Sequence, residues 1–131
     1  MSKLLLDTNA CVFFAQDPDR LSKKALELIE HEDSEIFVSA ISAGELACLE
    51  TRGRIKLSKH WKSWFRLQLE TNAWTCLPVT LSYMEEAWSL PEPLHRDPAD
   101  RMLIATARIE DMTIITTDRL ILDYPHVQSL G

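Results

Sequence analysis

Apolar positions along this chain fall into two rhythms that alternate from one end to the other. Short continuous apolar runs, each stopped by polar residues, read as buried strands: "KLLLDTN" ending at Asp7, "EIFVS", "WTCLPVT" and "TIITT", the last ended by Asp118. Between them lie helical stretches. "ACVFFAQ" is short and broken by "DPD". "LSKKALELIEHE" is amphipathic, with Ser22 as its cap and Leu21 placed to staple onto Leu26. "SAGELACLETR" begins another helix, which Ser42 and Glu45 would open as a Ser-x-x-Glu capping box. "KHWKSWFRLQLE" carries Trp61, Trp64, Phe65 and Leu69 near a period of 3.6, the spacing of a core-facing stripe rather than of base-stacking platforms.

"SYMEEAWSL" is a helix stopped by "PEP". In "HRDPADRMLIATA", Asp97 suits an N-cap, Pro98 the first helical position and Asp100 the third, where a carboxylate can reach back to the cap and complements the helix dipole. After the fourth strand, "DRLILDYP" predicts a short helical turn and "HVQSL" a fifth, edge strand. Strands apolar on both faces, alternating with helices, predict a parallel sheet covered on both sides: an α/β protein built as a three-layer α/β/α sandwich. The pattern leaves the order of the strands open.

With 131 residues, three glycines, and neither repeat nor low-complexity tract, one domain over 1–131 is expected. No apolar run approaches the ~20 residues of a membrane span, and "MSKLLLDTNA" lacks the shape of a signal peptide. Cys11, Cys48 and Cys76, odd in number and far apart, fit buried thiols in a reducing cytoplasm better than a disulfide framework or a zinc site. His31, His60, His95 and His126 are scattered, unlike a ligand set.

The net charge of −6 argues against a broad nucleic-acid-binding surface. One stretch departs from it. No acid lies between Glu50 and Glu70, where Arg52, Arg54, Lys56, Lys59, Lys62 and Arg66 stand. A solvated helix face accounts for such a run, and so does a local grip on a phosphate backbone.

Ligands of a parallel α/β sheet bind at the edge where strands end and antiparallel helices begin. Asp7 closes the first strand, Glu45 begins the helix after the second, Asp100 begins the helix that runs back toward the fourth, and Asp118 follows that strand. Each has a plain reading alone, as a turn residue or a cap. Together, four like charges would raise one another's pKa and oppose folding unless a cation removes the repulsion. An all-oxygen set without His or Cys suits Mg²⁺ or Mn²⁺, and the cluster alone fits a nuclease or a phosphatase.

"LLLDTNA", "VSAISAGELA", "HRDPADRMLIATA" and "IITTDRLI" resemble, in order, the four signature segments of the PIN domain, and within that family the VapC-like toxins of type II toxin–antitoxin pairs. The resemblance extends from Lys3 to the C-terminus, although residues 52–95 match mainly in pattern. It implies a Mg²⁺-dependent endoribonuclease, commonly a homodimer, acting on RNA and silenced by a cognate antitoxin. Position by position, it makes Asp7, Glu45, Asp100 and Asp118 the acidic residues of the site, with Asn9 and Thr116 as polar residues that orient carboxylates.

In this reading Asp7 and Asp100 make the closest metal contacts. Glu45 is a ligand or the base for the attacking water, and Asp118 a ligand through water. Arg96 or Arg101 would contact the scissile phosphate or else serve as plain surface. Gly44 stands where many relatives carry tryptophan, a departure that concerns packing rather than ligands. A phosphatase using Asp7 as nucleophile would need a second aspartate at Asn9, and a phosphoacceptor receiver domain would need a lysine in "TTDRL". The remaining alternative is a catalytically silent PIN-like domain that binds protein or RNA.

Overall fold

The computed structural model describes residues 2–131. Five parallel strands, β1 (Lys3–Leu6), β2 (Glu35–Ser39), β3 (Thr75–Leu77), β4 (Thr113–Ile115) and β5 (Ser129–Leu130), form one sheet in the order β3-β2-β1-β4-β5. The first strand is therefore central. It pairs Leu4 with Ile36 on one side and with Thr113 on the other. The predicted sandwich and the fifth, edge strand are both present.

Alternation along β1 divides the core in two. Leu4 and Leu6 join Val38, Leu46, Trp64 and Phe65 on one face of the sheet. Leu5 joins Leu103, Ile104, Ile114 and Ile121 on the other. Burying each such side chain contributes roughly 1.5–3 kcal/mol, so both faces need helical cover. The first is covered by α1 (Thr8–Gln16), α2 (Lys23–Glu30), α3 (Ala40–Thr51) and α4 (Trp61–Asn72). The second is covered by α6 (Pro98–Glu110) and α7 (Arg119–Leu122), with α5 (Leu81–Ala87) packed along α6.

Several helix starts follow the local chemistry. Ser22 caps α2 by accepting from the Ala25 amide, and Leu21 and Leu26 share a core cluster. Asp97 caps α6 with Pro98 at its first position, as its sequence predicts. Of the stripe on α4, Trp64 and Phe65 are buried in the core, whereas Trp61 and Leu69 are only partly buried against it. Between α1 and α2, Pro18–Arg20 form a single 3-10 turn, where "DPD" breaks the helical pattern.

Three expectations need correction. α1 begins two residues early, at Thr8, because Asp7 is its N-cap. α3 also begins early. Ser39 caps it through the Ile41 amide, which places Ser42 and Glu45 inside the helix rather than in a capping box. Of the three thiols only Cys11 is buried. Cys48 lies on an exposed helix face, and Cys76 is exposed because β3 is an edge strand. No helix among the described residues is long and apolar enough to cross a membrane.

Candidate active site

Because every strand runs the same way, the residues after β1, β2 and β4 emerge at one edge of the sheet. Asp7 follows β1 and is almost fully buried. One of its oxygens caps α1, accepting from the Ala10 amide at 2.7 Å. The other accepts from the Thr116 hydroxyl, just beyond β4. Burial, above all, raises the Asp7 carboxyl to about 6, and the charges of Asp100 and Glu45 push it the same way.

Glu45 sits on the second turn of α3, on the same side as Ser42. Both face the first turn of α1. The Thr8 hydroxyl bonds the Glu45 carboxylate and lies 2.9 Å from the Ser42 hydroxyl. Burial raises the Glu45 pKa, and Asp100 and Asp97 add to the rise. Asp100, at the start of α6, is likewise raised first by burial and then by Asp97 and Asp118. Its Oδ2 lies 2.7 Å from Nε2 of His95, which lowers the pKa in opposition.

Asp118 caps α7 through the Leu120 amide, while its own amide donates to the Thr116 hydroxyl. One threonine thus ties the segments after β1 and β4 together. Asp7 senses Asp100 and Glu45, and Asp100 senses Asp118, so the four predicted carboxylates form one connected cluster. Asp97 remains at its edge, exposed and engaged as a cap.

The supporting residues are only partly those expected. Thr116 stands where the sequence predicts. Asn9 is exposed and makes no side-chain hydrogen bond among the described residues; the hydroxyl that holds a carboxylate is its neighbour Thr8. His95, given no role from sequence, holds Asp100. A signal for it existed: it lies two residues before the cap of α6, beside the turn that carries Asp100.

Arg101 is a clear correction. It is 2% exposed, and its guanidinium donates to the carbonyls of Ala87, Leu94 and His95 and to Glu92. Buried and engaged in this way, it presents nothing to a phosphate. Arg96 is exposed, without an ion pair among the described residues.

The donor set fits a hard divalent cation. It consists of carboxylates, one of them buried with its pKa raised, beside hydroxyls that leave lone pairs free. Among the described residues, no three acidic, histidine or cysteine side chains already close around a single point. Each carboxylate is turned toward a local donor instead, Asp7 to Thr116, Glu45 to Thr8 and Asp100 to His95. Mg²⁺ keeps several waters and takes only one or two carboxylates directly, so this open arrangement suits it.

Comparison with known proteins agrees with the geometry. The chain is 37% identical over 126 residues to Ribonuclease VapC22 of Mycobacterium tuberculosis, covering 96% of this chain and 95% of that protein. Its fold is similar to that in VapBC2 from Rickettsia felis bound to a promoter DNA fragment, with a TM-score of 0.72 at 18% identity over 98% of this chain and 97% of that one. It is also similar to the fold in FitAcB from Neisseria gonorrhoeae, with a TM-score of 0.64 at 20% identity over 98% and 96% of the two chains. Residues 4–127 match the PIN domain, and with its four carboxylates gathered at one edge of a parallel sheet, this chain belongs to the PIN domain family.

Proposed function

We propose that this protein is a divalent-metal-dependent endoribonuclease, the toxin of a type II toxin–antitoxin pair. The observation that carries this reading is the convergence of Asp7, Glu45, Asp100 and Asp118 from four separate segments on one rim. Its similarity to a VapC ribonuclease along nearly its whole length supports the substrate class.

Asp7 and Asp100 would hold the ion, Asp118 would reach it through water, and Glu45 would be a further ligand or the base for the attacking water. When bound, Mg²⁺ or Mn²⁺ offsets the repulsion among these carboxylates, makes water nucleophilic near neutral pH and stabilises charge on the phosphodiester. Thr116, His95 and Thr8 each fix one carboxylate, which keeps the donors oriented as substrate arrives. Arg96, exposed and four residues before Asp100, would meet a phosphate. RNA is the substrate in this reading. The cognate antitoxin is the inhibitory partner, a homodimer the working state and the cytoplasm the compartment.

Purified protein, free of antitoxin, is incubated with total cellular RNA in Mg²⁺, in Mn²⁺ and in chelator, beside a folded Asp100→Asn variant. Discrete metal-dependent fragments, absent from the variant, are expected. Growth arrest on expression, relieved by co-expressing a cognate antitoxin, separates a toxin from a housekeeping nuclease. The engaged rotamers of the carboxylates favour one second reading, a silent PIN-like module that binds protein or RNA. A folded protein that binds RNA or a partner yet cleaves under no metal establishes that reading instead.

A further inference from the structure

One surface outside the carboxylate rim departs from the charge of the chain. Six basic residues and no acidic one lie between positions 51 and 69, whereas eight basic and twenty acidic residues occupy the rest, a charge of −12. All six cations are exposed, and none has an ion pair among the described residues. The bordering acid, Glu50, accepts from the Trp61 amide at 3.1 Å and faces His60.

The backbone that carries these cations is tied down. The Gln16 side chain, at the end of α1, bonds the Lys56 carbonyl at 3.0 Å and the Ser58 amide at 3.1 Å. Ile55 and Leu57 pack onto the core. A charge presented from a fixed backbone loses less entropy on binding than one on a mobile loop.

Between α3 and α4 this surface opens into a groove of about 530 Å³, bounded by Ala40, Ala43, Trp61, Lys62, Phe65 and Arg66. Ala40 directly follows β2, so the groove opens at the edge of the sheet that carries the rim carboxylates, on the side of α3 away from Glu45. Its floor is apolar and aromatic. Lys62 Nζ lies 5.6 Å from the centre of the half-buried Trp61 ring. An aromatic floor beside unpaired cations matches unstacked bases joined by phosphates, whereas a duplex hides its base faces.

Resting on the ribonuclease reading, we propose that the α3–α4 groove binds single-stranded RNA flanking the cleavage point. One base lies against Trp61, and the adjoining phosphates lie on Lys62 and Arg66. An acidic protein segment is the competing occupant. The base-accepting floor and the number of unpaired cations favour RNA.

The test is fluorescence anisotropy with a labelled, mixed-sequence single-stranded RNA in chelator, where no metal-dependent cleavage intervenes. The Lys62→Ala/Arg66→Ala double variant is expected to bind about tenfold more weakly. Its dependence of log K on log salt should flatten by about 1.4, near 0.7 for each phosphate that is no longer neutralised. Trp61→Leu should weaken binding several-fold with the salt slope unchanged. Lys23→Ala/Lys24→Ala on α2 should match wild type, and duplex RNA should compete poorly.

Melting curves confirm that each variant folds, and wild-type cleavage of total RNA in Mg²⁺ is run in parallel. Wild-type affinity and salt slope in the double variant overturn the groove; if cleavage persists, the nuclease reading stands without it. Loss of binding to a glutamate-rich peptide, with RNA affinity unchanged, overturns it in favour of a protein partner. A wild-type protein that neither binds nor cleaves RNA overturns both.

Discussion

Asp100 and Arg101 are consecutive on α6, yet both engage His95: Asp100 meets the imidazole at 2.7 Å, and Arg101 donates to the carbonyl of the same residue at 2.9 Å. The rim carboxylate and the buried cation beside it thus hold the two ends of one histidine. Arg101 extends the same grip to Ala87 at the end of α5 and to Glu92 and Leu94 in the loop that follows. Hydrogen bonds through these two residues therefore tie the carboxylate rim to the α5–α6 loop.

Replacing Arg101 by Met should cost on the order of 3 kcal/mol, because three backbone carbonyls lose a charged donor in a buried site. Arg101→Lys should recover only part of this, since an ammonium lacks the planar fork that reaches four acceptors. Urea denaturation of the three proteins measures both effects. A Met variant as stable as wild type would mean that the clamp adds nothing to stability.

His95→Ala should weaken Mn²⁺ binding about tenfold, the usual cost of losing a group that orients a metal-binding carboxylate. His95→Gln, which still offers an N–H to Asp100, should retain most of the affinity. Titration calorimetry with Mn²⁺ reads this without any turnover. Equal affinity in all three proteins would reduce the His95–Asp100 pair to packing.

Asp7→Asn should stabilise the metal-free protein near pH 7.5 while abolishing stabilisation by Mg²⁺. At that pH a buried carboxyl raised to about 6 is charged, at a cost of about 3 kcal/mol relative to its ordinary value of 3.8. Asparagine removes that cost and keeps the Ala10 cap, but disturbs the bond from Thr116. A net gain of about 1–2 kcal/mol is expected. If the variant instead unfolds in chelator, Asp7 is chiefly a structural anchor.

The same shift sets a pH dependence. Asp7 binds its proton more tightly folded than unfolded, so its contribution is complete below about 4 and is lost as pH rises through about 6. Glu45 and Asp100 are raised in the same direction. Wild-type stability in chelator should therefore fall from pH 5 to pH 7.5, Asp7 alone accounting for about 1.4 kcal/mol. Comparison with Asp7→Asn isolates that share, and saturating Mg²⁺ should flatten the curve. A stability that climbs over this interval in the wild type alone would contradict the raised carboxyl.

Much of this arrangement is legible in the residues themselves, because it rests on local rules. The runs at 4–6, 36–38 and 113–115 are too apolar to face water, and the helical stripes between them need a sheet to cover. Parallel strands then bring Asp7, Glu45, Asp100 and Asp118 to one edge whatever their order. Asp97 and Pro98 mark the start of α6 by backbone chemistry alone.

Tertiary structure decided what depends on contacts between distant segments. The placing of β1 at the centre, the exposure of Cys76 on an edge strand and the clamp of Arg101 around the α5–α6 loop have no local signature. Ser42 and Glu45 read as a capping box, yet Ser39 starts α3, and only the approach of α1 shows that both residues face Thr8. A side chain's hydrogen-bond partner is chosen by which backbone segments pack against it, and that choice follows from burying the whole core at once. Sequence determined which carboxylates share one edge of the sheet; packing determined which hydroxyl and which imidazole bond them.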